Sequence, residues 1–398
     1  MELTIKQEQG LGIAINRYRN NEKCTVIGGY AGTGKSTLVK FIISALAQDG
    51  IDPDKDVCYC AFTGKATQVL QKKGNLNVST LHKLLYDSIP KESGGYIRKP
   101  KPIGDIDYKI IVVDEVSMAP KTLMELLFKH PAYVICLGDP FQLPPIDKNE
   151  DNHLLDKPHI FLDEVMRQAQ ESGIIRLSMI IREGKSFDDS ISTSDLIVRP
   201  QRELTTGMLT WADQVIVGTN ATRFNINNQM RQIAGFGPNP QEGDKVICLR
   251  NYWDIFDDAD NALVNGTIGY LKNAFETFNQ IPFWASQNIR QIPIIGGNVE
   301  TESGTTIENI QMDKQIFLTG NNTLDWKTSY RLGKSDKTRH LLPQEFTYGY
   351  AITCHKSQGS EWDKVTIIEE AFPFVKEEHA RWLYTACTRA SEKLVLLR

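Results

Sequence analysis

Hydrophobic and polar residues follow two alternating periods along the first 170 positions. Short apolar runs of the kind found in buried strands are each followed by stretches with apolar residues at every third or fourth position. In the clearest pair, the β-branched run at residues 24–29 precedes residues 36–48, which carry apolar residues at helical spacing. Further strand-like runs lie at residues 57–62, 108–115 and 132–140. Strands that alternate with helices predict an α/β fold, a parallel sheet with ligands at the carboxyl ends of its strands.

The same pattern restarts after residue 170, which predicts a second α/β domain. We place the first domain at residues 1–86 and 106–170, and the second at residues 171–260 and 342–398. Residues 87–105 interrupt the first domain. Residues 261–341 interrupt the second, and they are rich in Asn, Gly and Thr, with short β-like runs and no clear helical period. We therefore expect a small β insertion there.

Composition narrows the class of protein. The chain has 398 residues, of which 41% are hydrophobic and 24% charged, with a net charge of −4. These values are ordinary for a globular protein, and the length favours two or three domains. No apolar run reaches the roughly 20 residues of a membrane span, and the N-terminus has no signal-peptide core. The seven cysteines have neither disulfide-like nor zinc-like spacing, so we expect a cytoplasmic protein without a membrane partner.

A glycine-rich stretch between the first strand and its helix carries the strongest chemical signal. Residues from Gly29 to Ser36 fit the pattern G-x-x-x-x-G-K-S. In this pattern glycines let backbone N–H groups turn towards phosphates, and the helix N-terminus adds a favourable dipole. We expect Lys35 to hold the β- and γ-phosphates and Ser36 to bind Mg²⁺. The alternative is a chance glycine-rich turn.

A pair of acids completes a predicted nucleotide-hydrolysing site. Asp114 and Glu115 follow the apolar run 110–113. An acid at the end of such a strand holds Mg²⁺, as a Walker B residue does, and a neighbouring acid can take a proton from the attacking water. The alternative is a solvated strand end. We assign Asp114 to the metal and Glu115 to the base, with ATP and Mg²⁺ as the cofactors.

Three later polar residues are candidates for sensing the γ-phosphate. Gln142 follows the strand-like run at 132–140, and Arg167 and Arg389 lie in "LDEVMRQ" and "YTACTRA". An arginine that reaches the γ-phosphate stabilises the charge of the transition state. Two arginines on opposite sides of a cleft would make hydrolysis depend on closure of the cleft. Each arginine taken alone is also compatible with a surface position.

Six stretches stand in the order of the motifs of superfamily 1 helicases, and the chain resembles class B of that superfamily, the RecD- and phage Dda-like group. They are "GGYAGTGKST", "DEVSM", "GDPFQLPPI", "LDEVMRQ", "TCHKSQGSEWDKV" and "LYTACTRA". The resemblance implies two RecA-like P-loop lobes with parallel sheets, and ATP bound between them. It also implies single-stranded DNA across both lobes and 5′→3′ translocation, in a bacterial or phage-infected bacterial cell.

The resemblance also assigns residues by position. The implied ATP-binding set is Gln7, Gly29, Gly32, Thr33, Gly34, Lys35, Ser36, Thr37, Gly359 and Glu361. Of these, Gln7 resembles the glutamine that recognises adenine, and an exposed N-terminal glutamine remains the alternative. The implied DNA-binding set is Thr63, Lys65, Thr80, His82, Tyr96, Thr219, Asn220, Thr353, His355 and Ser357. Each of these is by default a polar loop residue, and their positions at strand ends favour the functional interpretation.

Two insertions complete the predicted architecture. In residues 87–105, Gly94 and Gly95 are compatible with a tight hairpin turn, and Tyr96 would lie near its tip, where it could stack on the first base pair of a duplex. The resemblance implies that this hairpin is the wedge, or pin, of a class B helicase, and a surface loop is the alternative. Residues 261–341 are similar to the SH3-like module of class B members only by position and by the stretch "LVNGTIG".

The motifs leave several functions open. The leading hypothesis is an ATP-dependent 5′→3′ DNA helicase that acts as a monomer on single-stranded and forked duplex DNA. The alternatives are a translocase that does not separate duplexes, an ATP-gated nucleic-acid clamp, and an RNA helicase. Single-strand binding proteins and replisome proteins are candidate partners.

Overall fold

The computed structural model describes residues 3–90, 96–144, 148–166, 171–258 and 262–398. The side chains of residues 88–90, 96–98, 148, 253 and 336 also lie outside this description. The strands are β1 Cys24–Gly29, β2 Val57–Ala61, β3 Val78–Thr80, β4 Tyr86–Pro90, β5 Tyr96–Pro100, β6 Ile110–Val113, β7 Tyr133–Gly138, β8 Ile160–Leu162, β9 Leu196–Arg199, β10 Gln214–Val217, β11 Lys245–Cys248, β12 Tyr252–Phe256, β13 Ala262–Leu263, β14 Ile268–Gln280, β15 Gln291–Thr301, β16 Thr306–Asp313, β17 Phe346–Tyr348, β18 Ala351–Thr353, β19 Trp362–Ile368 and β20 Ala390–Leu397.

The helices of the described residues complete the secondary structure. They are α1 Ile5–Arg19, α2 Lys35–Leu46, α3 Gly64–Lys72, α4 Leu81–Leu85, α5 Lys121–Leu127, α6 Gly173–Arg182, α7 Thr206–Trp211, α8 Asn220–Ile233, α9 Lys314–Thr319, α10 Trp326–Gly333, α11 Asp336–Arg339, α12 Cys354–Ser357 and α13 Lys376–Cys387. Among the described residues, none of these helices combines the length and the apolar character that a membrane span requires.

The chain divides into two compact units. The first contains residues 1–86, 100–219 and 353–398, and the second contains residues 87–99 and 220–352. The predicted α/β fold is confirmed in the first unit, which holds the parallel sheets. The predicted domain boundaries stay a prediction.

A six-stranded sheet forms one half of the first unit. Its strand order is β3-β2-β6-β7-β1-β8, and every neighbouring pair is parallel. The side chains of β6 alternate between the two faces. Ile111 and Val113 pack with α4 and α5, whereas Ile110 and Val112 pack with α2. Because both faces are covered, the strand has to be apolar at every position, as the sequence pattern indicated.

A second parallel sheet forms the other half of the first unit. The strands that lie wholly within this unit have the order β10-β19-β20-β9, and their neighbouring pairs are parallel. Helix α13 contributes Trp382 and Tyr384, two of the largest fully buried side chains in the described part of the chain. This helix therefore has a fixed position, which matters for the site described below.

The second unit contains an antiparallel sheet of order β16-β15-β14-β11-β17. Its longest ladder joins β14 to β15, from Gly269 opposite Thr301 to Gln280 opposite Gln291. Strands β14, β15 and β16 lie within residues 261–341, whereas β11 and β17 lie outside them, and the β insertion with these bounds stays a prediction. Helices α9, α10 and α11 within residues 314–339 were not predicted. Strands β4 and β5 pair as a two-stranded sheet within the predicted hairpin segment, whose turn at 91–95 lies outside the described residues.

Candidate nucleotide and nucleic-acid site

The glycine-rich stretch forms a tight turn between β1 and α2. Gly32 and Gly34 have φ values of +75° and +76°, in the left-handed region that glycine adopts without strain. The ammonium group of Lys35, the first residue of α2, donates to the carbonyl oxygens of Gly29 at 2.7 Å and Tyr30 at 3.0 Å. The turn therefore holds a cation over the end of β1, at the N-terminus of a helix, which is the arrangement that binds phosphate.

Neighbouring side chains leave no space for a side chain at Gly34. A Cβ atom there would lie 2.5 Å from both Gln7 Nε2 and Met166 Sδ. The Met166 N–H in turn donates to the Gly32 carbonyl at 3.0 Å. The left-handed backbone therefore favours glycine at position 34, and a larger residue would also displace the ends of the Gln7 and Met166 side chains.

Gln7, on helix α1, is fully buried against this turn. Its Nε2 donates to the Thr33 carbonyl at 3.1 Å, and its Oε1 accepts from the Thr4 N–H at 3.0 Å as part of the capping box of α1. Both ends of the amide therefore have protein partners, and Gln7 supports the phosphate-binding turn from below. Its predicted contact with adenine stays a prediction.

The two acids after β6 differ in environment. Asp114 is half-buried, and burial together with the adjacent Glu115 carboxylate raises its pKa above the usual aspartate value. Its Oδ1 accepts from the Glu115 N–H at 2.9 Å. Glu115 has φ +51°, an uncommon conformation for a residue with a Cβ atom and one that occurs in functional turns. The Asn152 side chain fixes the turn that follows, since Nδ2 donates to Val116 O at 2.8 Å and Ala119 O at 2.7 Å.

Glu115, Gln142 and Arg389 form one polar chain. When the Gln142 amide is oriented to satisfy both neighbours, its nitrogen donates to Glu115 Oε2 at 3.0 Å and its oxygen accepts from Arg389 Nη2 at 3.1 Å. Arg389 Nη1 also lies 3.8 Å from Glu115 Oε1. Arg389 is buried and donates to the carbonyls of Thr385 and Ser360. The structure thus brings together three residues that the sequence placed in three separate motifs.

A tyrosine that the sequence analysis did not select joins the phosphate-binding turn to α13. The Tyr384 hydroxyl accepts from the Ala31 N–H at 2.8 Å and donates to Asp139 Oδ2. Asp139 is buried and also accepts from the Phe141 N–H at 2.9 Å. Burial raises the pKa of the Asp139 carboxyl, with Lys35 and the Tyr384 hydroxyl acting in the opposite direction. The only signal for these residues was their place within the quoted motifs "GDPFQLPPI" and "LYTACTRA".

The loop after β7 has two further contacts with the second sheet. The Leu143 N–H donates to Thr385 Oγ1 at 3.0 Å, and its carbonyl accepts from Gln358 Nε2 at 2.7 Å. Two parts of the second half of this unit therefore hold the loop at Leu143: helix α13, through Thr385, and the turn before β19, through Gln358.

The other predicted nucleotide-binding residues lie on α2, in the turn before it and in the segment before β19. Ser36 is exposed on the first turn of α2, Thr37 is half-buried, and Thr33 is buried with its hydroxyl donating to Tyr30 O at 2.8 Å. Gly359 has φ +70°, and a Cβ atom there would lie 2.9 Å from Thr63 Oγ1. Glu361 is exposed.

Predicted DNA-binding residues of the first sheet lie at the carboxyl ends of its strands. Thr63 caps α3 by accepting from the Ala66 N–H at 3.2 Å, and Thr80 caps α4 by accepting from Lys83 N–H at 3.2 Å. Lys65 Nζ lies 5.4 Å from the ring centre of Trp362. The His82 ring packs between Phe62 and Tyr86, at 5.6 and 6.1 Å between ring centres.

The predicted DNA-binding residues after β10 and β18 vary in accessibility. Thr219 bonds the Glu370 carboxylate through its N–H and its hydroxyl, both at 2.9 Å, and Asn220 is exposed at the start of α8. Thr353 ends β18, and His355 in α12 has a pKa lowered by burial. Ser357 is fully buried and donates to Cys354 O at 2.7 Å. In this conformation the Ser357 hydroxyl is hydrogen-bonded within α12, and its contact with DNA stays a prediction.

Two predicted residues cannot be placed. Arg167 lies outside the described residues, and so does the side chain of Tyr96.

Within the described ranges, no group of three or more His, Cys, Asp or Glu residues is arranged to hold a metal ion. Mg²⁺ does not require such a group, because it is commonly held by one or two carboxylates together with substrate phosphates. The Ser36 hydroxyl and the Asp114 carboxylate are hard oxygen ligands of the type that this ion takes.

Comparisons with known proteins match both ends of the chain. A family model for an AAA domain matches residues 7–195, and a model for a UvrD-like helicase C-terminal domain matches residues 348–397. The ATP-dependent RecD2 DNA helicase of Deinococcus radiodurans is 27% identical over 93% of this chain and 46% of its own length. The predicted resemblance to RecD- and Dda-like helicases is confirmed by these matches.

A phage protein and a solved structure are also similar to this chain. The ATP-dependent DNA helicase dda of Enterobacteria phage T4 is 28% identical over 48% of this chain and 45% of its own length. The chain thus matches less than half the length of these curated relatives. A crystal structure of Pif1 helicase from Bacteroides with ADP-AlF3 and ssDNA has TM-score 0.53, at 18% identity over 100% of this chain and 92% of that one. Likeness at this level shows the fold, two RecA-like lobes with parallel sheets.

Proposed function

We propose that this protein is an ATP-dependent DNA helicase that moves 5′→3′ on single-stranded DNA and unwinds duplex DNA. One observation carries the proposal. The chain Glu115–Gln142–Arg389 connects an acid next to the phosphate-binding turn with an arginine beside the last strand of the second sheet. A change at the γ-phosphate would therefore alter contacts of residues on both sheets. A motor requires such a connection, and a passive nucleotide-binding domain does not.

The proposed hydrolytic roles follow from this geometry. Backbone N–H groups of residues 29–36, with Lys35, bind the phosphates. Ser36 and Asp114 would hold Mg²⁺, which when bound would supply positive charge beside the phosphate oxygens. Burial, together with the adjacent Glu115 carboxylate, raises the Asp114 pKa, and a bound cation would stabilise the ionised carboxylate against both effects, which supports this assignment.

The remaining groups act on the attacking water and on the charge of the transition state. Glu115 orients the water and accepts its proton, and Gln142 senses the γ-phosphate. Arg389 and Arg167 stabilise the charge that develops in the transition state. Arg389 is held by two backbone carbonyls and by Gln142, so it is already oriented towards Glu115. The residue before Arg167, Met166, contacts the phosphate-binding turn.

The proposed DNA track follows the ends of the parallel strands. Thr63, Thr80 and Thr353 each immediately precede a helix at the end of a strand, where backbone N–H groups and the helix dipole favour a phosphate. Lys65, His82, Thr219, Asn220, His355 and Ser357 complete the proposed track. The direction of movement is inferred from class B membership.

The finer organisation is also a proposal. We infer a pin at residues 87–105 with Tyr96 as its wedge, an SH3-like insertion at residues 261–341, and a monomer as the active form. Forked DNA is the proposed substrate, with single-strand binding or replisome proteins as further partners. We expect the protein in the cytoplasm of a bacterial or phage-infected cell.

Strand displacement on duplexes with either a 5′ or a 3′ single-stranded tail, measured beside nucleic-acid-stimulated ATP hydrolysis, tests the proposal. A helicase of this class unwinds the 5′-tailed duplex and leaves the 3′-tailed one largely intact. Stimulated hydrolysis without displacement on either duplex would indicate a translocase or a clamp instead. The same assay with RNA strands tests the choice of nucleic acid.

A further inference from the structure

The insertion of the second unit exposes an unusual group of aromatic side chains. Trp326 and Tyr330 on α10 are 73% and 58% exposed, and Phe283 and Trp284 after β14 are 66% and 56% exposed. Large aromatic side chains are rarely left in water without a role, because each one leaves a substantial apolar area unburied. We call these four residues the aromatic patch.

Helix α10 exposes its two aromatic residues on one face and buries the opposite face. Thr328 and Leu332 are buried, and they lie on the opposite side of the helix from Trp326 and Tyr330. Asp325 caps the helix by accepting from the Thr328 N–H at 2.9 Å. The exposure of Trp326 and Tyr330 is therefore a property of a well-capped and well-packed helix.

The two parts of the patch belong to one small module. Arg331 Nη1 on α10 donates to the Ala285 carbonyl at 3.2 Å, next to Trp284. Ala285 and Leu332 are members of the same hydrophobic cluster, which also contains Ile281 and Leu324. The helix and the segment after β14 are thus held together by a common core.

Cations accompany the exposed rings. The guanidinium of Arg290 lies 4.2 Å from the ring centre of Phe283, and Lys334 Nζ lies 4.6 Å from that of Tyr330. Lys327 Nζ lies 5.8 Å from the Trp326 ring centre. Residues 325–340 carry five Lys and Arg residues against two acids, Asp325 and Asp336, in a chain whose net charge is −4. The module is therefore locally basic in an acidic protein.

Exposed rings beside cations suit one class of ligand. Unpaired bases stack on aromatic side chains, while neighbouring Lys and Arg residues bind the phosphates between them. A protein partner would have to bury these cations against acids, which the patch does not itself supply. The charge and the rings together favour a nucleic-acid strand.

We propose that the aromatic patch and its cations form a second binding site for single-stranded DNA, separate from the track at the strand ends of the first unit. The proposal rests on the proposed function for its choice of ligand. Bases stack on Trp326 and Tyr330, and Lys327, Lys334 and Arg290 contact the backbone. Such a site would keep hold of a strand while the contacts in the first unit change during each ATP cycle.

The full-length protein tests this with a ladder of fluorescent oligo(dT) strands from about 6 to about 30 nucleotides, read by anisotropy. The variant Trp326→Ala/Tyr330→Ala should bind the longest strands at least about fivefold more weakly, since one stacked base contributes at least that much. The shortest strands, which occupy one site, should bind the first unit with unchanged affinity. The matched control is Phe374→Ala, which removes an exposed aromatic ring from the first unit.

Salt dependence separates the two kinds of contact. Lys327→Ala/Lys334→Ala should lower the slope of log affinity against log salt by about 1.4 on long strands, because two phosphate contacts are lost. The aromatic variant should leave that slope unchanged. Equal affinity and slope for wild type and both variants at every length would overturn the second site and leave the proposed function intact. Failure of the wild type to bind any strand would overturn both.

Discussion

The hydroxyl group of Tyr384 should control the exposure of the phosphate-binding turn. It accepts the Ala31 N–H and donates to Asp139, and both groups are in the first unit. The change Tyr384→Phe removes only this oxygen and keeps the ring that packs against Phe141, with ring centres 5.1 Å apart. The Ala31 N–H then loses its partner, and Asp139 keeps the bond from the Phe141 N–H.

The magnitude follows from the two bonds. A buried neutral hydrogen bond contributes about 0.5–1.5 kcal/mol, and one to a charged group about 1.5–3 kcal/mol. Opening of the turn should therefore become easier by about 1–2 kcal/mol, because Ala31 has lost its own bond and part of the support from Asp139. Hydrogen exchange at the turn should accelerate by about 5- to 30-fold.

Hydrogen-exchange mass spectrometry of peptides that span residues 27–38 measures this directly. The control is Tyr133→Phe, which removes a buried hydroxyl bonded to Thr25 and Ala14 O but leaves the turn untouched. Exchange of the turn should be faster only in Tyr384→Phe. Equal protection in wild type and Tyr384→Phe would refute the inference that this hydroxyl holds the turn.

The same variant should show a pH-dependent loss of stability. Burial raises the Asp139 pKa above its unfolded value, so the folded state is progressively destabilised as the pH rises through that interval. The Tyr384 hydroxyl opposes this shift, and without it the folded pKa rises further. The difference in melting temperature between wild type and Tyr384→Phe should therefore shrink as the pH falls towards the usual aspartate pKa. A difference that stays constant or grows in acid would contradict this.

Four further predictions concern the proposed motor. Lys35→Ala should abolish ATP hydrolysis and leave single-strand binding largely intact; hydrolysis above a few per cent of wild type would contradict the phosphate-binding role. Arg389→Ala should lower kcat on the order of 10³-fold with little change in nucleotide affinity, and normal hydrolysis under saturating DNA would assign it a structural role. DNA affinity should fall steeply with salt in spite of the net negative charge, and a flat response would point to stacking. Tyr96→Ala should slow strand separation several-fold while ATP hydrolysis stays near normal; parallel loss of both would remove it as the wedge.

The parallel sheets could be predicted from the sequence because their strands are covered on both faces. In β6 every residue from Ile110 to Val113 is buried, so the strand appears as an uninterrupted apolar run. The short helices of the insertion were harder to predict from the sequence. Helix α10 has only one buried stripe, at Thr328 and Leu332, and its exposed aromatic residues obscure the helical period. The capping residue Asp325 was the one usable signal for its start.

Some residues of the candidate site could likewise be predicted from the sequence, and others could not. Lys35, Asp114 and Glu115 belong to local motifs whose spacing carries the chemistry. The bond from Ala31 to Tyr384 joins residues 353 positions apart, and no local pattern records such a pairing. The two protein partners of Gln7 and the left-handed backbone of Glu115 are likewise properties of the folded chain.

The backbone of Glu115 sets stability against the proposed role of this residue as the base. A non-glycine residue in the left-handed region costs on the order of 1–2 kcal/mol, and glycine at position 115 would recover most of it. Selection of variants for thermal resistance alone would therefore favour replacing this carboxylate, and a sequence designed for maximal stability would lose the proposed base first.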